Sequence, residues 1–201
     1  MTEIVDAVFL TSAPDVGRAP DNEICNEVAF MARSNTGKSS LLNALTRRKG
    51  LAKVSATPGK TRLINFFDVT FLDRDCGEKS SAMFVDLPGF GYARVSKSIK
   101  SDWEKNLTAY VAQRQQIKIF IHLVDARHPD LEIDRSVAAF LEEICRPDQH
   151  VLRVYTKIDK LNQKELSALK RTDPGALMVS NTKKRGMERL TETIHTLLGE
   201  A

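Results

Sequence analysis

Val28-Ala29-Phe30-Met31-Ala32-Arg33-Ser34-Asn35-Thr36-Gly37-Lys38-Ser39-Ser40-Leu41-Leu42 reads as a strand, a loop and the start of a helix in immediate succession. Val28–Ala32 is continuously apolar rather than alternating, as in a strand covered on both faces. Leu41, Leu42 and Leu45 then share one side of a helix predicted over Ser39–Arg47. Between them, Gly37-Lys38-Ser39 is intact, so the setting is that of a phosphate-binding loop. In such a loop, backbone N–H groups and the helix N-terminus surround phosphate oxygens. This assigns Ala32, Arg33, Ser34, Asn35, Thr36, Gly37, Lys38, Ser39 and Ser40 to a nucleotide phosphate site. Lys38 would neutralise β- and γ-phosphate charge, and the Ser39 hydroxyl would bind Mg²⁺. The first glycine of the pattern is Ala32 here, so a residue with a Cβ must open the turn.

Outward from this segment, strands and helices alternate without a repeat or a linker. Leu63–Leu72 and Ser81–Asp86 read as strands joined by the polar turn Asp73–Ser81, a hairpin. Ile99–Gln113 has helical spacing, Ile117–Asp125 is a buried strand, and Leu131–Cys145 is a helix. Val151–Thr156 is a strand, Gln163–Lys170 a short helix, Ala176–Val179 a last strand and Gly186–Leu198 a closing helix. This order implies an α/β three-layer sandwich: a mostly parallel sheet with one antiparallel hairpin and helices on both faces. The expectation is one domain over 1–201, with an N-terminal edge strand and loop in 1–22 and a nucleotide-binding core in 23–199. In such sheets, ligands bind beyond the carboxyl ends of the strands.

The loops at those ends carry three further patterns. Asp86-Leu87-Pro88-Gly89 follows a strand; its carboxylate can hold Mg²⁺ through water while the Gly89 N–H meets a γ-phosphate. On its own this DxxG is no more than a turn. Thr156-Lys157-Ile158-Asp159 follows the next-to-last strand, and Asp159 offers two oxygens to the N1–H and 2-amino donors of guanine. A site built for those donors rejects adenine, because a buried polar group would be left unpaired. The aliphatic stem of Lys157 can cover the base plane. Val179-Ser180-Asn181 closes the last strand and offers a backbone N–H to guanine O6. Four patterns in chain order, each directly after a strand, carry the argument together.

Composition sets the outer bounds. The chain has 201 residues, 42% hydrophobic and 28% charged, with ten glycines and seven prolines, which excludes collagen, low-complexity disorder and coiled coil. At this size roughly 70% of the unfolded surface can be buried without disulfide or metal staples. The N-terminus lacks a basic segment and a long apolar core, and the longest apolar runs are too short to span a bilayer. Three cysteines, Cys25, Cys76 and Cys145, have no metal-like spacing. The expectation is a cytoplasmic protein with no membrane association. A net charge of +4 permits a polyanionic partner without requiring one.

Four segments give the sequence a family resemblance. They are Glu27 through Leu45, Ala56-Thr-Pro-Gly-Lys-Thr61-Arg-Leu-Ile-Asn-Phe-Phe67, Asp86-Leu-Pro-Gly-Phe-Gly-Tyr-Ala93 and Thr156-Lys-Ile-Asp-Lys160. They resemble the EngB family of bacterial GTP-binding proteins, within the TRAFAC-class P-loop GTPases, from about Ala7 to Leu198. The resemblance implies a GTP/GDP switch that helps assemble the large ribosomal subunit and is linked to cell division and septation; the expectation is a monomer, and slow hydrolysis is expected from Phe90. It also implies a ribosomal RNA partner. By resemblance Thr61 joins Ser39 on Mg²⁺ while Asp86 acts through water, and Gly59, Lys60, Arg62 and Leu63 lie beside Thr61 at the nucleotide. The residues expected to act in hydrolysis are Lys38, Asn35, Thr61 and Gly89. Similar GTPases use an asparagine at the position of Asn35 to hold K⁺. Ras-type enzymes place a water-orienting glutamine after DxxG, whereas this chain has Phe90. A rival reading is a guanine-nucleotide-dependent scaffold at the division septum whose hydrolysis is incidental.

Other residues have plainer readings. Trp103 packs in an amphipathic segment, His122 is a hydrogen-bonded core histidine, His128 lies in a loop on the nucleotide side, and Cys76 is an exposed thiol. Lys53, Lys60, Arg62, Arg94, Lys97 and Lys100, with Lys183–Arg185, are expected to form a basic rim beside the nucleotide.

Overall fold

The computed structural model describes residues 1–21, 26–52, 63–90, 105 and 107–200. Its strands are β1 (Thr2–Ala13), β2 (Glu27–Ala32), β3 (Ile64–Asp73), β4 (Lys79–Asp86), β5 (Ile117–Asp125), β6 (His150–Thr156) and β7 (Leu177–Met178). The helices are α1 (Lys38–Leu45), α2 (described over 107–113), α3 (Glu132–Ile144), α4 (Gln163–Thr172) and α5 (Met187–Gly199). The seven strands form one open sheet in the order β1-β3-β4-β2-β5-β6-β7. The pairs β4–β2, β2–β5, β5–β6 and β6–β7 are parallel. β3 runs antiparallel to β4, the expected hairpin, and also to β1.

Period-2 alternation divides the core. Val28, Phe30 and Ala32 of β2, with Ile119, Ile121 and Leu123 of β5, face Leu41, Leu42 and Leu45 of α1 and Leu190 and Ile194 of α5. Ala29, Met31 and Phe120 face the other way, toward Tyr110 and Val111 of α2 and Leu141 of α3. Leu166 and Leu169 of α4 close that second side against Val124 and Tyr155. Helices therefore cover both faces. Glu27, fully buried at the start of β2, accepts from Tyr110 Oη at 2.8 Å and from Arg114 Nε at 3.0 Å, which fixes α2 to the central strand.

Element ends shift by one or two residues from the sequence reading, and two features of the sheet edge are new. The hairpin turn is shorter, because the exposed Lys79 and Ser80 pair with Leu72 and Phe71 and extend β4. β1 carries register shifts between Ile4 and Asp6 and between Phe9 and Thr11, leaving Val5 and Leu10 as exposed extra residues. Such bulges twist a sheet edge away from further pairing. Among the described residues no helix is long and apolar enough to cross a membrane.

Candidate nucleotide site

The loop after β2 turns through two left-handed residues, Asn35 (φ 65°) and Gly37 (φ 106°). Ala32 is not one of them; its methyl is fully buried in the core. The missing glycine therefore costs the turn no strain, because the loop needs its conformational freedom further along. Gly37 precedes α1 and no side chain caps that helix, so its first N–H groups face no competing side-chain acceptor. With the helix dipole behind them, these groups suit phosphate.

The end of β4 lies directly alongside. Asp86 is 4% exposed, its Oδ1 is ion-paired with Lys38 Nζ, and its Oδ2 accepts from Asn65 Nδ2 at 3.4 Å. The chain then continues against the phosphate loop: the Leu87 N–H donates to Phe30 O at 3.3 Å and the Phe90 N–H to Ala32 O at 3.1 Å. Ser34 N–H in turn donates to Phe90 O at 3.3 Å. A Cβ at Gly89 would lie 3.3 Å from Ala32 O, Ser34 N and Ser34 Oγ, a tight fit that would press the phosphate-loop backbone by a few tenths of an ångström. Phe90 is buried with Leu87 and Tyr110, its ring 6.5 Å from that of His122. It packs and brings no hydrogen-bonding group.

The loops after β6 and β7 are tied to the same turn. Lys157, itself left-handed at φ 58°, donates from Nζ to Asn35 O at 2.6 Å. Thr156 Oγ1 donates to Thr36 O at 2.7 Å, and Asn181 Nδ2 to Gly37 O at 3.2 Å. Three consecutive carbonyls of the phosphate loop thus receive side chains from the two predicted base loops. Asp159 Oδ1 accepts from Ser180 Oγ at 2.5 Å, and that hydrogen bond holds its carboxyl below the usual range. Ile158 and Val179 are buried beneath these loops.

Sequence reasoning missed Asp125. At the carboxyl end of β5 and 1% exposed, it accepts from Lys157 Nζ at 2.9 Å and from Arg127 Nε at 3.0 Å. Burial works to raise its carboxyl, but the hydrogen bonds from Arg127 and Lys157 outweigh it and hold the group well below the usual range. The available signal was positional: a carboxylate ending the strand next to the Thr156–Asp159 loop. His122 also departs from expectation. It is a core residue at 1% exposure, but Nε2 has no hydrogen-bond partner, because it lies 4.0 Å from Asp134 Oδ1.

Lys38, Ser39, Asp86 and Gly89 therefore lie on one side of the phosphate loop's turn, and Thr156–Asp159 with Val179–Asn181 on the other. Gly59, Lys60, Thr61, Arg62, Trp103 and the basic-rim residues Lys53, Arg94, Lys97 and Lys100 fall outside the described residues. Leu63 is exposed at 42%. Among the described residues no three His, Cys, Asp or Glu side chains gather as a metal cluster. The available set, one carboxylate and one hydroxyl, fits Mg²⁺, which takes few protein ligands and relies on substrate phosphates. A separate cavity of ≈ 690 Å³ lies between α3 and α4, with His122, Asp134, Arg153 and Tyr155 among its lining residues.

Comparison with known proteins fits this geometry. A family model described as "50S ribosome-binding GTPase" matches residues 27–157. The chain is 55% identical over 194 residues to a probable GTP-binding protein EngB of Aliarcobacter butzleri, covering 95% of this chain and 96% of that protein. The chain belongs to the EngB family of GTP-binding proteins, a family of GTPases. The EngB protein of Campylobacter lari is 48% identical over 194 residues, covering 95% of this chain and 94% of its own. The crystal structure of a probable GTP-binding protein engB shares the fold with a TM-score of 0.65 at 21% identity, covering 87% of this chain and all of that one. In this EngB chain the family match runs from the first residue of β2 to Lys157, so Asp159 and Ser180–Asn181 lie beyond its end yet belong to the same ring of loops.

Proposed function

We propose that this EngB-family GTPase is a GTP/GDP switch that assists assembly of the large ribosomal subunit, and that normal cell division and septation depend on it through that role. The observation that supports the switch is the convergence of the loops after β4, β6 and β7 on the phosphate loop after β2, the first at Ala32 and Ser34 and the other two at Asn35–Gly37. Guanine would lie between Lys157 and Asp159, with Ser180 and Asn181 at its O6 edge. The phosphates would lie over the α1 N-terminus, where Lys38 must leave Asp86 to meet them. Mg²⁺, held by Ser39, Thr61 and, through water, Asp86, would offset charge on the β- and γ-phosphates. K⁺ at Asn35 would add positive charge on the β-phosphate side. Phe90 cannot orient or deprotonate water, so intrinsic hydrolysis is slow and the protein serves as a timer. The large subunit as partner is supported by the description of the matching family and by the exposed cations Lys183, Lys184 and Arg185.

The test is co-sedimentation with purified large-subunit precursors. Binding should be stronger with a non-hydrolysable GTP analogue than with GDP, since the γ-phosphate orders switch segments. It should also weaken steeply with salt, as counterion release from RNA becomes less favourable. Binding indifferent to both nucleotide and salt would overturn the proposal.

A further inference from the structure

Arg33, the second residue of the phosphate loop, reaches into α3. Its Nε lies 3.5 Å from Asp134 Oδ2, with the two side chains 23% and 3% exposed. Asp134 sits in the first turn of α3, and neither of its oxygens has a hydrogen-bond partner. Among the described residues Arg33 is its one ion-pair partner with a permanent charge, and His122 and the Asp125 carboxylate are the other titratable groups acting on it. Burial raises the Asp134 carboxyl and the Arg33 charge opposes that rise. A buried carboxylate without hydrogen bonds is costly unless it is paired, and Arg33 is the partner available.

The backbone on either side of Arg33 explains what depends on it. Ala32 O accepts from the Phe90 N–H, and Ser34 N–H donates to Phe90 O. The Phe90 ring packs toward His122, which neighbours Asp134. The phosphate loop, the segment after Asp86 and the start of α3 therefore form one closed circuit. Any shift of the Gly89 segment toward a γ-phosphate would act against Ala32 and Ser34, to which Phe90 is bonded. If Arg33 is tethered, that shift falls on residues 87–90 and the phosphate loop keeps its form.

We infer that Asp134 is a positioning residue, which holds the phosphate loop in its nucleotide-binding shape through Arg33. It touches no phosphate. The inference rests on the nucleotide-site reading above, and its test separates the two. In the full chain, release of a fluorescent GDP analogue is followed for wild type, Arg33→Gln, Asp134→Asn and the double variant. Each single change should speed release about fivefold or more, the scale of one coupled pair. The double variant should be no faster than the faster single. Asp134→Glu, which keeps the charge, should release near the wild-type rate. Circular dichroism and melting temperature report folding, and if Asp134→Asn does not fold, Asp134→Ser, which also removes the charge, takes its place, because Arg33 itself lies on the phosphate loop and Arg33→Gln alone would not isolate Asp134. Unchanged release with only a lower melting temperature, or effects that add in the double variant, would overturn the inference. Wild type that fails to bind the analogue would instead overturn the nucleotide site itself.

Discussion

Lys38 and Asp86 are ion-paired across the nucleotide site, with side chains only 11% and 5% exposed. Each is a residue that phosphate or Mg²⁺ would claim, so the pair holds both charges compensated until nucleotide arrives. Removing one partner of a buried pair costs about 3 kcal/mol or more. Asp86→Asn should therefore lower the urea-unfolding stability of the nucleotide-free chain by about that amount. With saturating GDP the loss should be smaller, because the phosphates then compensate Lys38. Equal losses in both states would show that the pair is not exchanged for nucleotide.

Base selection should depend on Asp159. Its carboxylate is oriented by Ser180 Oγ at 2.5 Å and kept ionised by that bond. A hydrogen bond to a charged group contributes about 1.5–3 kcal/mol, so Asp159→Asn should weaken GTP binding about tenfold or more. The amide can donate to a 2-oxo group, so xanthosine triphosphate should bind more tightly than to wild type. Ser180→Ala should weaken GTP less, through lost orientation alone. Titration calorimetry with both nucleotides reads these outcomes directly.

These two sites were legible in the sequence for different reasons. The patterns at 37–39, 86–89 and 156–159 state chemistry locally, and continuous apolar runs such as 28–32 and 117–125 indicate central strands. What the sequence hides is what crosses between elements. Nothing local shows that the Thr156 hydroxyl will reach Thr36 O, or that Asp125 will anchor Lys157. The same holds for His122: its apolar strand told of burial, but its missing hydrogen bond depends on α3 packing. Ala32 departs from the expected glycine, yet its backbone does not use the freedom that glycine provides.

His122 makes stability depend on pH. Burial, with a smaller contribution from Arg153, lowers its pKa from 6.5 to about 4. The unfolded chain then binds one more proton than the folded chain between those values, so stability falls as pH drops through that window. From pH 7 to pH 5 the loss from this group is about 2 kcal/mol. Asp134, raised by burial, acts in the opposite direction near the ordinary carboxylate range. Asp125 and Asp159, both lowered, lose their contribution only at lower pH. Urea unfolding at pH 7 and pH 5 should show the loss in wild type, and His122→Gln should flatten it.

Potassium is tested through Asn35. The residue is exposed on the loop, and its left-handed backbone turns its carbonyl to Lys157 Nζ. If its side chain holds K⁺ beside the β-phosphate, GTP hydrolysis should be faster in KCl than in NaCl at equal ionic strength. Asn35→Ala should remove that difference while leaving GDP binding largely intact. Equal turnover in the two salts, with and without large-subunit precursors, would exclude the ion from the reaction.

Gly186 and Gly77 provide a matched pair for testing how the base loop is held. Their φ values are 76° and 77°, so alanine pays the same left-handed penalty at both, about 1 kcal/mol. Their surroundings differ. A Cβ at Gly77 would meet nothing within 4 Å, whereas one at Gly186 would lie 2.2 Å from Met178 O and 3.3 Å from Val179 Cγ1. The backbone there must move, and it adjoins the Ser180–Arg185 pairing that closes the loop carrying Ser180 and Asn181. Gly186→Ala should therefore destabilise the protein by about 2 kcal/mol more than Gly77→Ala, the cost of local strain added to the left-handed penalty. It should also weaken guanine nucleotide binding, because Ser180 can no longer hold Asp159 in place. Gly77→Ala, in the hairpin turn between β3 and β4, should bind nucleotide as wild type does. Chemical denaturation and nucleotide titration of the two variants give the comparison. Equal destabilisation would mean that the Met178 carbonyl yields freely, and normal binding by Gly186→Ala would mean that the loop's closure does not position Ser180.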